Sequence, residues 1–235
     1  MKLGVNIDHI ATLRNARGGA EPNLARAAEI ALKEDVFALT MHLREDRRHI
    51  KDSDLYEVKK LGAKINLEMA ATTEILQIAL DLSPYSVCLV PEKRQEITTE
   101  GGLDVSSQKE YLKEFIKPLK ERGILVSLFI DADLNQVQSA SDIKADYIEL
   151  HTGSFSNAFD KKEYNSELNK LITASIEAQK LGLKVNAGHG LNYQNVYLMK
   201  QIPNLSELNI GHSIISRSVF TGLKQAIREM NELIN

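Results

Sequence analysis

Residues 37–50 read FALTMHLREDRRHI, a run that turns within a few positions from apolar alternation to a dense set of ionisable groups. Phe37, Leu39, Met41 and Leu43 alternate with Ala38, Thr40 and His42, the period-two pattern of a strand with two unlike faces. Arg44, Glu45, Asp46, Arg47, Arg48 and His49 follow, and no core holds that many charges unpaired. Chemistry is expected where this strand ends.

The same junction recurs along the chain. LGVNI runs into Asp8-His9, KINL into Glu68, VCLV into Pro91-Glu92-Lys93-Arg94, VSLFI into Asp131-Ala132-Asp133, YIEL into His151-Thr152-Gly153, VNAG into His189-Gly190 and LNIG into His212-Ser213. With Phe37–Leu43 that makes eight apolar runs, and all six histidines lie at the end of one or just past it. A capping or core role accounts for any single histidine; it accounts poorly for all of them sorted this way.

Between the runs the spacing becomes helical. Leu24, Ala27, Ala28 and Leu32 share a face, as do Ile75, Ile78, Ala79 and Leu82, then Tyr111, Phe115 and Leu119, and more weakly Val137 with Ile143. Leu168, Leu171, Ile172, Ser175 and Ala178 form the longest such face; Val196, Met199 and Ile202 stop at Pro203. Val219, Leu223, Ile227, Met230 and Ile234 predict one last helix. Ser53–Leu61 predicts a helix with a poor apolar face, while Gly18–Pro22 and Gly153–Lys162 read as loops. Gln95–Val105, with Gly101-Gly102, reads as a lid over a ligand.

Strands alternating with helices imply parallel pairing through right-handed crossovers, and eight units in 235 residues predict a single (β/α)8 TIM barrel with additional helices over residues 1–235. An open doubly wound sheet competes, but the first strand is not followed by GxGxxG. In a barrel, the C-terminal ends of all strands meet on one face. The histidines and carboxylates would then share one mouth.

Hydrophobic content of 43% and charged content of 26% are those of an ordinary globule, and a net charge of −3 argues against nucleic acid or an anionic membrane as partner. No signal-peptide core follows Met1-Lys2 and no run reaches membrane-spanning length, so a cytoplasmic protein is expected. The one cysteine, Cys88, lies inside an apolar run and reads as a buried structural thiol.

Gly188-His189-Gly190 after the seventh run and Gly211-His212-Ser213 after the eighth occupy the positions where barrels build phosphate sites from backbone N–H groups. Arg14, Arg17, Arg44, Arg47, Arg48 and His49 suggest a second anion site; Glu45 and Asp46 can neutralise Arg47 and Arg48, which leaves Arg44 and His49 as the better candidates. Glu68 and Glu149 sit in apolar surroundings that raise a carboxyl pKa, and His42 and His189 titrate near neutrality, so all four are candidates for proton transfer. Asp8 can orient His9 or bind a substrate hydroxyl. Without HxH, HExxH or a cysteine cluster no metal is expected, and Lys64, Lys184 and Lys93 are poorly placed for a Schiff base. The residues alone reach an acid/base enzyme acting on phosphorylated small molecules. They leave open a phosphosugar aldolase or isomerase, and a non-catalytic phosphate-ligand sensor.

GVNIDHIATLRNARG, HLREDRRHI, NLEMA, LVPEKRQEITTEGGLDV, VSLFIDAD, IELHTG, LKVNAGHGLNY and LNIGHSII, in this order, closely resemble the pyridoxine 5'-phosphate synthase family from end to end. Lys33-Glu34-Asp35-Val36 departs from the family's Gly-Ala-Asp approach to the second strand. The resemblance implies a transferase of vitamin B6 biosynthesis, condensing 3-amino-2-oxopropyl phosphate with 1-deoxy-D-xylulose 5-phosphate to give pyridoxine 5'-phosphate, phosphate and water. It implies that Asn6, Arg17, Gly190, Gly211 and His212 contact the aminoketone phosphate, and that Asp8, His9, Arg44, His49 and Thr98 contact the other substrate. His42 and Glu68 would accept protons, His189 would donate one, and Glu149 would stabilise charge in the transition state. It implies no metal or organic cofactor, a homo-octamer built from dimers, and an Arg17 loop that serves a neighbouring subunit.

Overall fold

The computed structural model describes residues 1–92 and 101–235. Among them, β1 (Lys2–Asn6), β2 (Ala38–His42), β3 (Ile65–Met69), β4 (Ser86–Leu89), β5 (Leu125–Ile130), β6 (Tyr147–His151), β7 (Lys184–Gly188) and β8 (Leu205–Ile210) pair in sequence order, all parallel, and β8 closes on β1. The helices are α1 (Asp8–Arg17), α2 (Leu24–Leu32), α3 (Asp52–Lys60), α4 (Thr73–Leu82), α5 (Lys109–Glu121), α6 (Leu134–Asp142), α7 (Gly153–Asp160), α8 (Asn165–Lys180), α9 (His212–Thr221) and α10 (Leu223–Ile234). The (β/α)8 barrel expected from the sequence is the fold, and each of the eight apolar runs supplies a strand.

Strand alternation sends Leu3, Val5, Leu39, Met41, Ile65 and Leu67 outward, where they are buried against the helices. The apolar core is therefore the annulus between strands and helices. The bore is unlike the usual barrel interior of branched apolar residues. Register sets Asn6 opposite Thr40, Thr40 opposite Asn66, Asn66 opposite Ser86, and Glu149 opposite Asn186.

A polar interior persists where its groups pair, and most of these do, although Asn186 Oδ1 and Ser127 Oγ are buried without a hydrogen-bond partner among the described residues. Ser86 donates to Asn66 at 2.9 Å, Asn66 to Thr40 at 3.3 Å, Thr40 to Asn209 at 2.9 Å and Asn209 to Glu149 at 2.7 Å. This girdle links β4, β3, β2, β8 and β6. Cys88, fully buried as expected, adds a thiol contact to Glu149 at 3.8 Å.

Several local expectations are corrected. Asp8–Arg17 is a helix, so Arg17 ends α1 and is not in a loop; the buried residues of α1 are Asp8, Ala11 and Arg14, which gives no apolar stripe to read. Gly153–Asp160 forms α7, held by Phe155, Phe159 and Tyr164 packing on one another. Val196–Gln201 is a 3-10 helix. The last helix divides at Gly222, whose φ of 80° ends α9, and Val219 stands 71% exposed where an inward face was expected. In α5 the buried face is Leu112, Phe115, Ile116 and Leu119, with Tyr111 turned out to hydrogen-bond the Ala71 carbonyl.

Candidate active site

His42 ends β2 and is fixed from several sides. Its backbone N–H donates to Asp8 Oδ1 at 2.9 Å, its Nε2 lies 2.8 Å from Glu92 Oε1, and its Nδ1 lies 3.8 Å from Glu68 Oε2. Asp8 opens α1 and also accepts from Asn6 at 2.8 Å. Glu68 stands opposite His42 in register on β3. Burial pushes the Glu68 carboxyl well above the ordinary range, and the charges of Glu149 and Asp8 add to the shift. Asp8 is raised by burial too, against the opposing pull of His42. Burial raises Glu149 to about 7 even though Asn209 donates to it.

The mouth thus gathers carboxyl groups of raised proton affinity beside an imidazole. One donor atom each from Asp8, His42 and Glu68 lies within 4.8 Å of the others, a spacing that admits a divalent cation. Motif spacing could not disclose this, because the three residues come from separate strand ends. Each Asp8 oxygen already accepts one hydrogen bond and keeps a second lone pair.

Across the mouth, His189 and Gly190 follow β7 with φ of 81° and 80°, and only Gly190 takes this conformation without strain. Thr152 holds the turn, donating to the Gly188 and His189 carbonyls at 2.8 and 2.6 Å. Partial enclosure strips hydration from His189 and, with the charge of His151 beside it, lowers its pKa to about 4. A neutral His189 at pH 7 differs from the near-neutral titration expected of it. Gly211 caps the ten-residue α9 and lies against Asn6, so a Cβ there would stand 2.8 Å from Asn6 Cβ. His212 is the first residue of α9, and its ring meets His9 at 4.9 Å.

The loop after β2 carries the remaining cations. Thr12 Oγ1 lies 2.7 Å from His49 Nδ1, and His9 stacks near His49 at 6.3 Å. Burial lowers His49 to about 4, with repulsion from His9, His42, Arg44 and Arg48 contributing. Arg44 and Arg48 both pair with Asp46, whereas Arg47 pairs with Asp52 and Glu74 rather than with Glu45 or Asp46. Arg14 is spent on a buried two-pronged pair with Asp54 at 2.6 and 2.9 Å.

Asn6, Asp8, His9, His42, Arg44, His49, Glu68, His189, Gly190, Gly211 and His212 therefore belong to the strand ends or the segments that follow them, while Glu149 is the middle residue of β6 and meets Asn209 in the bore. Arg17 does not join them. It is exposed at the far end of α1, roughly 14 Å along the helix from Asp8 at 1.5 Å per residue. Thr98, Lys93 and residues 95–100 of the expected lid lie outside the described residues.

Sequence reasoning missed Glu92, whose partner His42 is 50 positions away, and the His151–Asp131 pair at 2.9 Å. The strand-end position of His151 was its only signal. A cavity of about 850 Å³ on the β5–β6 side is lined by Asp131, His151, Phe155 and Lys170; it takes in the His151–Asp131 pair but neither His42 nor any other residue of the candidate site named above.

The description "Pyridoxal phosphate biosynthesis protein PdxJ" belongs to the family model that matches residues 3–235. Over 238 residues the chain is 54% identical to the pyridoxine 5'-phosphate synthase of a Sulfurihydrogenibium species, covering 100% of this chain and 98% of the relative. The same enzyme of Geobacter sulfurreducens is 53% identical, covering 99% and 98%. Among solved structures, 3-hexulose-6-phosphate synthase superposes with a TM-score of 0.65 at 14% identity, over 100% of both chains. Thiamine phosphate pyrophosphorylase from Pyrococcus furiosus superposes with a TM-score of 0.60 at 16% identity, over 99% of this chain and 95% of the other. Both likenesses bear on the fold alone.

Proposed function

The chain belongs to the PdxJ family of pyridoxal phosphate biosynthesis proteins, and from that membership we propose that it is a pyridoxine 5'-phosphate synthase, an enzyme of vitamin B6 biosynthesis. It condenses 3-amino-2-oxopropyl phosphate with 1-deoxy-D-xylulose 5-phosphate, releasing phosphate and water as the pyridine ring closes. The substrate amine supplies the imine nitrogen, so no lysine is needed. The observation that carries this reading is the convergence of Asp8, His42, Glu68 and Glu149 in one mouth.

The aminoketone phosphate rests against Asn6, Gly190, Gly211 and His212, where the α9 N-terminus offers backbone N–H groups. The second phosphate is met by His9, Arg44 and His49, with Asp8 on a substrate hydroxyl and Thr98 completing the set. His42 and Glu68 take protons from carbon and hydroxyl positions. Raised basicity suits Glu68 to that task. His189 returns a proton after a phosphoryl dianion beside Gly190 has raised its pKa, and Glu149 steadies developing positive charge. Neither a metal nor an organic cofactor takes part.

We place the chain in the cytoplasm as a homo-octamer built from dimers, with no nucleic acid or membrane as partner. Among the described residues no helix is long and apolar enough to cross a membrane. Arg17, exposed and without a partner among the described residues, then serves the site of a neighbouring subunit.

The test is to incubate the purified protein with both phosphorylated ketones and follow pyridoxine 5'-phosphate and free phosphate. Stoichiometric appearance of the two is expected; absence of both refutes the proposal. Glu68→Gln is expected to keep phosphate-ligand binding while turnover falls by at least about 100-fold, the lower range for losing a positioned acid or base. Unchanged turnover would remove Glu68 from the chemistry.

A further inference from the structure

Nothing above gives Glu92 a role. Its carboxylate lies just after β4, its side chain is 4% exposed, and both oxygens are engaged: Oε1 with His42 Nε2 at 2.8 Å and Oε2 with the Glu45 backbone N–H at 3.0 Å. An ionised carboxylate only accepts hydrogen bonds, so the ring nitrogen facing it must carry the hydrogen. Hydrogen bonding to His42 offsets the burial of Glu92 and holds it below the ordinary carboxylate range, which keeps it ionised.

We propose that Glu92 is the positioning residue of the site: it locks His42 in the tautomer protonated at Nε2, so that the lone pair of Nδ1 faces Asp8, Glu68 and the bound substrate. This rests on the acid/base reading of His42 given above. With Nε2 committed, Nδ1 is the only ring atom able to take a substrate proton, and the Glu92 charge then steadies the imidazolium that forms. Carboxylate, imidazole and reacting atom stand in the order used by hydrolytic triads, where the carboxylate orients the ring without itself being protonated. The contact to Glu45 N–H ties the chain after β4 to the chain after β2, which fixes the carboxylate against both neighbours.

Glu92→Gln separates this role from simple fastening. A carboxylate offers acceptors to two N–H groups, whereas an amide offers one acceptor and one donor of the same shape. If its oxygen stays on Glu45 N–H, its NH2 faces His42 Nε2 and drives the hydrogen to Nδ1, where the ring can no longer act as base. We expect a thermal midpoint within a few degrees of wild type, KM for both substrates within about threefold, and kcat lower by at least about 10²-fold, up to the loss of about 10⁴ known for swapping the orienting Asp of a triad for Asn. Glu92→Asp keeps the charge and should recover part of that loss.

The second readout is independent of turnover. ¹⁵N spectra of histidine-labelled, sedimented protein, assigned with His42→Asn, should show His42 protonated at Nε2 and bare at Nδ1, with the pattern reversed or mixed in Glu92→Gln. Wild-type kcat in Glu92→Gln, or a wild-type spectrum with the hydrogen on Nδ1, overturns the proposal. Should Glu92→Gln fail to fold, the wild-type spectrum and Glu92→Asp still decide it. Failure of the wild-type protein to make pyridoxine 5'-phosphate would instead strike the reaction, leaving the tautomer question to the spectrum.

Discussion

His49, His9 and His212 stand in file across the mouth, with ring centroids 6.3 and 4.9 Å apart. Burial and mutual repulsion lower His49 to about 4 and lower His9 as well, so both are neutral in the free protein at pH 7. Neutral imidazoles bind a dianion weakly; charged ones bind it well, and the dianion itself supplies the field that recharges them. Binding of a phosphorylated ketone at pH 7 should therefore take up protons from solution. Titration calorimetry in buffers of different ionisation enthalpy measures this directly, and His49→Asn should reduce the uptake. Zero uptake in wild type would mean that Arg44 and backbone groups carry the phosphate without the histidines. The same residues explain why the site was only partly legible: a histidine at a strand end is visible in the chain, but the neighbours that depress it are not.

At the level of elements, the strands were readable because each is a short apolar run ending in polar chemistry, and the barrel followed from their count and spacing. What escaped were elements stabilised by something other than an apolar stripe. α1 buries Asp8 and Arg14 through a backbone N–H and a carboxylate partner, and α7 buries glycine and serine along with Phe155. Their partners lie 34 and 40 positions away for α1, beyond any local pattern. The start of α9 gives a sharper case. Gly211 is there because β1 delivers Asn6 against it, and a methyl at that position meets Asn6 Cβ at 2.8 Å. Gly211→Ala should push Asn6 and the α9 N-terminus apart, at a cost of about 1–3 kcal/mol for overpacking. Binding of the aminoketone phosphate should weaken about tenfold or more, while affinity for the other substrate changes little. Equal loss for both substrates, measured by calorimetry, would place Gly211 outside a dedicated phosphate cradle.

For the molecule as a whole, a polar bore means that buried carboxyls make stability depend on pH. Glu207 lies one layer below Asn209, where burial and the charge of Glu149 raise it to about 7 despite Lys2 and Lys64. A carboxyl with its folded pKa above the unfolded value binds protons more tightly when folded, so its contribution is complete below about pH 4.5 and is lost as pH rises through 7. His49 and His189, lowered to about 4, act in the opposite sense: their contribution falls away as pH drops from 6.5 toward 4. The wild-type stability profile is the sum of these slopes, so one variant must isolate a single term. Glu207→Gln keeps the shape and cannot ionise. Its thermal midpoint should match wild type near pH 4.5 and exceed it increasingly up to pH 8, by several degrees, given about 2–4 °C per kcal/mol in a domain of this size. Turnover should change little, because Glu207 lies toward the end of the bore opposite the mouth. A gap that is constant with pH, or that favours wild type at pH 8, would mean that Glu207 stays ionised in the folded barrel and is held by Lys2 and Lys64.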